Sequence, residues 1–68
     1  MNSQEALSQF KSYYNGGYKT VGNNLICSAK NPKDLKIKMQ AAWHHITARC
    51  LNMLVIKNSN NSFTVISL

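Results

Sequence analysis

Hydrophobic positions along this chain follow two rhythms, one helical and one strand-like, and each rhythm occurs twice. Ala6, Leu7, Phe10, Tyr13 and Tyr14 recur at helical spacing within about a third of a helix circumference, while Gln4, Ser8, Gln9, Lys11 and Ser12 fill the rest. Asn2 stands at an N-cap position with Glu5 three residues on, the spacing of a capping box. Asn15-Gly16-Gly17 then supplies residues that tolerate positive φ and stop the helix. Beyond it the period shortens. Tyr18-Lys19-Thr20-Val21 and Leu25-Ile26-Cys27-Ser28-Ala29-Lys30 flank the turn Gly22-Asn23-Asn24, which predicts an antiparallel hairpin.

The same succession follows once more. Asn31-Pro32-Lys33-Asp34 combines a capping residue, a proline at the first helical position and an acid in the first turn, so a second helix is expected from there to about Cys50. Leu51 to Lys57 and Ser62 to Leu68 read as two further strands, joined by the polar loop Asn58-Ser59-Asn60-Asn61. The order is αββαββ. It predicts a single small α+β domain over residues 1–68, with a four-stranded, mainly antiparallel sheet and two helices. The two helix-plus-hairpin units share no residue identity that would make them a true repeat.

The second helix has three distinguishable faces. Leu35, Met39, Ala42, Trp43, Ile46 and Cys50 occupy one arc of about 100°, which should face the sheet. Beside it, Lys38, His45 and Arg49 fall within about 40° of one another and form a basic stripe. Nearly opposite the core arc, Ile37, Ala41 and Ala48, with His44 beside them, make a second apolar strip where a solvent-facing helix normally carries charge. That strip calls for a cover: the first helix, a second copy, or a target protein. The third strand gives a similar hint, because Met53-Leu54-Val55-Ile56 is apolar on both faces of the pleat, as in a strand buried on both sides. If both helices share one face of the sheet, the other lies open, and a homodimer or a bound target would cover it.

A chain this short buries only about 60% of the surface its unfolded form exposes, so a disulfide, metal or partner subunit is worth seeking. Cys27 and Cys50 both lie among apolar neighbours and read as two buried free thiols. His44 and His45 have metal-ligand chemistry, but adjacent helix positions point about 100° apart and cannot chelate one ion together. Neither metal nor cofactor is expected.

Charge narrows the partners. Eight Lys plus Arg face only Glu5 and Asp34, giving a net charge of +6 with just 15% charged residues, so the positive balance reflects missing acids. Such a field suits nucleic acid, DNA or RNA, or an acidic protein surface. The leading expectation is non-catalytic nucleic-acid binding, with Lys38, Arg49 and His45 on phosphates and Lys19, Lys30, Lys33 and Lys36 around them. The alternative is a small interaction protein, an inhibitor or regulator, whose target docks on Ile37, Ala41, His44 and Ala48 or on an open sheet face. In order and size the chain resembles compact phage and mobile-element proteins that bind host machinery or nucleic acid, although no motif marks a family.

Catalysis is not expected. His45 beside Lys38 and Arg49 has the residue types for acid–base cleavage of RNA, as in a small RNase toxin. The chain nevertheless has no Gly-rich phosphate loop, paired carboxylates or nucleophile motif, and both acids sit at helix starts. Met1 to Phe10 lacks the basic opening and apolar stretch of a signal peptide. The longest apolar run, Met53 to Ile56, is too short to span a bilayer. A cytoplasmic protein without membrane attachment is therefore expected.

Overall fold

The computed structural model describes residues 2–68. Its elements run α1 (Ser3–Tyr13), β1 (Tyr18–Val21), β2 (Asn24–Ser28), α2 (Pro32–Ala48), β3 (Met53–Ser59) and β4 (Ser62–Ser67). This is the α+β, αββαββ architecture that the hydrophobic pattern predicts.

Local chemistry sets the helix starts. Asn2 Oδ1 accepts the Glu5 N–H at 2.9 Å, and Asn31 Oδ1 accepts the Asp34 N–H at 2.8 Å. In each case the cap satisfies a backbone donor that the helix leaves without a partner. The Asp34 carboxylate also accepts the Lys30 N–H at 2.9 Å, tying the incoming chain to the first turn of α2.

The end of α2 is more unusual. The Leu51 N–H donates to the Ile46 carbonyl at 3.0 Å, and the Cys50 N–H donates to the Thr47 carbonyl at 3.3 Å. Those two bonds define a Schellman motif, and buried Leu51 and Ile46 supply its apolar contact. The motif needs a left-handed residue, normally glycine, and here that residue is Cys50 at φ 52°. The left-handed backbone turns the chain out of the helix, and Cys50 is exposed, not buried as its apolar neighbours imply. Cys27 is buried as expected, and its thiol pKa is pushed up to about 11, chiefly by burial.

All strand pairings are antiparallel, in the order β1-β2-β4-β3. Val21 pairs with Asn24, so the first hairpin turns on Gly22-Asn23 alone, and Gly22 has the positive φ of 59° that a tight primed turn demands. The second hairpin is tighter than its polar loop suggests. Ser59 pairs with Ser62 after a register shift between Lys57 and Ser59, leaving a two-residue turn at Asn60-Asn61.

Both helices pack on one face of the sheet. There Leu25, Cys27, Met53, Phe63 and Val65 meet Ala6, Leu7 and Phe10 of α1 and Leu35, Ala42 and Ile46 of α2, all buried in one core. Tyr14 completes it, stacked on Phe10 at 5.3 Å between ring centroids. Its hydroxyl is buried without a hydrogen-bond partner, and burial, with the neighbouring Cys27 thiol, raises its pKa.

The opposite face carries Lys19, Val21, Ile26, Leu54, Ile56, Thr64 and Ile66 by strand alternation. Nothing among the described residues covers it. Leu54 and Ile56 are each 45% exposed, so β3 is not buried on both sides as its apolar run implies. One sheet face is simply open. Among the described residues, no helix is long and apolar enough to cross a membrane.

Candidate functional site: the two flanks of the second helix

The arc of α2 that meets the sheet is narrower than the sequence suggests. Leu35, Ala42 and Ile46 are buried and Met39 is half-buried, but Trp43, expected in the core, is 53% exposed. Trp43 lies at the edge of the apolar arc, where it borders an open cavity shared with Val55 of β3. The faces on either side of the core arc have different neighbours, and that difference divides the candidate site residues.

On one flank the basic stripe meets α1. The Arg49 guanidinium carbon sits 3.4 Å from the centre of the Tyr13 ring, a cation–π contact. The His45 ring stacks on the same Tyr13 at 6.1 Å, and it meets the His44 ring edge to face at 6.2 Å. His45 Nδ1 is buried with no hydrogen-bond partner. Burial, then the charge of Arg49, then His44 hold its pKa below the usual histidine value. Lys38 is ion-paired with Asp34 at 3.0 Å, one helical turn back. Of the three, His45 and Arg49 converge on Tyr13 while Lys38 turns back to Asp34, so each is engaged by an internal partner. The sequence does not reveal Tyr13 as that partner, because it sits in the apolar arc of α1 and reads as core.

The apolar strip points to solvent. Ile37 is 57% exposed, and Ala41, His44 and Ala48 are exposed with it. Since α1 lies against the stripe flank, it leaves this strip uncovered.

The other flank forms a trough beside β3. A cavity of about 470 Å³ is lined by Met39, Gln40, Trp43, His44 and Thr47 of α2 and by Val55 of β3. A second, of about 390 Å³, is lined by Pro32, Leu35, Lys36, Met39, Gln40 and Lys57. Met39 and Gln40 border both, so the two are successive compartments of one trough, apolar at the Trp43 end and basic at the Lys36 and Lys57 end. Of these residues, Trp43, Val55 and Lys57 were not legible as site residues. The one available signal was that β3 is apolar on both faces.

The remaining cations are dispersed. Lys19 lies on the open sheet face. Lys30, Lys33 and Lys36 surround the start of α2, where Lys57 joins Lys36 across the smaller cavity. No group of three or more His, Cys, Asp or Glu side chains able to hold a metal ion stands together among the described residues.

Comparison with known proteins finds no match to any family model, curated protein or solved structure.

Proposed function

We propose that this is a small interaction protein that docks a partner protein on the outer side of α2, across the trough and the adjoining strip of Ile37, Ala41, His44 and Ala48. The observation that carries this reading is Trp43. A tryptophan with half its surface in water, at the mouth of a mainly apolar trough, is the kind of residue that dominates binding energy when a partner desolvates it. Meanwhile the side chains expected to hold phosphates are already engaged by Asp34 and Tyr13.

The test is affinity capture from cells that encode the protein, followed by mass spectrometry. A partner retained by the native protein and lost with both Trp43→Ala and Ala41→Asp supports the reading. Circular dichroism of each variant must remain native, which the exposure of both positions predicts. Retention unchanged in both variants refutes it.

Nucleic acid remains a second reading, supported by the lysines gathered at the start of α2. Contact of Lys33, Lys36 and Lys57 with three phosphates of duplex DNA would give a slope of log K against log salt of about −3. Removing Lys33 and Lys36 would lower its magnitude by about 2. Self-association belongs to the same proposal: the open sheet face, with five aliphatic side chains and only Lys19 charged, suits a second copy, giving a homodimer.

A further inference from the structure

The trough beside α2 is bounded on its outer side by an edge strand. In the order β1-β2-β4-β3, β3 pairs with β4 on one side only, and its other side offers unpaired backbone N–H and C=O groups. Natural edge strands are commonly kept short or interrupted by proline, lysine or a bulge. β3 has neither shortness nor proline in its favour: it runs seven residues, its first four are apolar, and Lys57 and the register shift come only near its far end. A free strand edge beside a cavity lined by a helix is the geometry that accepts an extended peptide as an added strand.

The side chains then specify what kind of peptide. Val55 and Lys57 share one face of β3, about 6.6 Å apart, so alternate residues of an added strand would pass first Val55 and then Lys57. On the helix side, Trp43 and Lys36 are two turns apart, about 10.5 Å along the axis, Trp43 lining the larger compartment and Lys36 the smaller. Lys36 and Lys57 converge on the smaller cavity, and no acidic side chain lines either compartment. The protein cannot supply its own counter-charge. Of its two acids, Asp34 is bonded to Lys38 and to the Lys30 N–H, while Glu5 belongs to α1.

Building on the docking reading above, we infer that the trough takes an extended acidic–apolar segment of a partner protein. The segment adds to the free edge of β3, sets a large apolar side chain between Trp43 and Val55, and places a carboxylate between Lys36 and Lys57. A second copy of this chain is disfavoured at that edge, because its acids Glu5 and Asp34 both stand in first turns of helices and not in an extended segment that could add to β3.

The test is selection of short random peptides displayed on phage against the native protein, then titration of the synthetic winners by Trp43 fluorescence. Enrichment of sequences with an acid two residues from a large apolar side chain is the expected result. Reversing both lysines (Lys36→Glu with Lys57→Glu) should weaken such a peptide by about tenfold or more. A peptide with its acid changed to lysine should recover binding to that reversed protein. Should the reversed protein fail to fold, Lys36→Gln with Lys57→Gln serves, with a smaller loss expected. Blocking alternate peptide amides by N-methylation should abolish binding if the segment adds as a strand.

Winners that are apolar without acids, and indifferent to the lysine changes, overturn this inference while leaving protein docking on α2 intact. No enriched peptide, together with single-stranded RNA binding that depends on Lys36 and Lys57, overturns both. A concentration-dependent dimer that Val55→Asp dissociates would assign the edge to a second copy and also overturn it.

Discussion

Replacing Cys50 with glycine should stabilise the protein. Cys50 holds the left-handed position of the Schellman motif at φ 52°, the position at which an L side chain brings its Cβ too close to the following carbonyl oxygen. That conformation costs a residue with a Cβ about 1–2 kcal/mol, and glycine nothing comparable. Glycine also gives the unfolded chain more freedom, which returns about 0.4–1 kcal/mol. Little else is lost, because Cys50 is exposed and both capping bonds run from backbone atoms. From the middle of both ranges the net gain is about 0.8 kcal/mol, or roughly 3–6 °C in melting temperature for a domain of this size. Thermal and urea unfolding under reducing conditions would measure it, with Cys50→Ala as the control that removes the thiol but keeps the Cβ. Alanine should gain no more than about 0.3 kcal/mol, within the ordinary scatter of surface substitutions. If glycine and alanine prove equal, the strain does not lie in the left-handed backbone and the reasoning fails.

Gly16→Ala should destabilise by about 1–3 kcal/mol in the same unfolding assays, since its Cβ would lie 2.7 Å from the Tyr14 hydroxyl and 2.9 Å from ring carbons held in the core. His45, held below its usual pKa by burial, by Arg49 and by His44, gives a pH dependence with a definite sign. As pH falls below about 6.5 the unfolded chain takes up a proton that the folded chain resists, so this stability is present above that pH and lost below it. Urea unfolding between about pH 7.5 and about 5.5 should therefore fall more steeply for the native protein than for His45→Gln; equal slopes would dismiss the effect. Light scattering at raised concentration should show a dimer that Leu54→Lys with Ile56→Lys dissociates, and a native protein that stays monomeric would remove the open face from consideration.

Much of the fold is legible because its signals are local. Asn2 and Asn31 mark helix starts through bonds made within four residues, Pro32 through its fixed φ, and Gly22 marks its turn through a backbone angle. Trp43, Cys50 and Tyr13 were misread for a different reason. A helical wheel ranks faces by polarity but does not say which flank has a neighbour. Tyr13, in the arc that reads as core, meets Arg49 and His45, while Trp43 at the opposite margin of α2 is left in water. For Cys50 the usual cue, glycine after the last helical residue, is missing although the motif itself is formed. The trough was the least visible feature, because it needs Lys36 and Lys57, from a helix and an edge strand, to meet across the sheet order.

That sheet order also governs how the molecule assembles. The chain reads as two helix-plus-hairpin halves, yet the halves are interleaved: β4 pairs with β2 from Asn24↔Ile66 to Ser28↔Ser62, and α1 rests chiefly on β4 of the second half, with Gln4 also bonded to Asn23 in the first hairpin. The first hairpin does not cover α1 without β4, so the first half should not persist alone. Closing β2 against β4 joins segments that α2 and β3 separate in sequence, which makes folding a single cooperative event governed by distant contacts. Amide exchange should accordingly show β2, β4 and the Phe10 turn of α1 opening together, while the outer edge of β3, on the side of that strand away from β4, is free to exchange and to recruit without disturbing the rest.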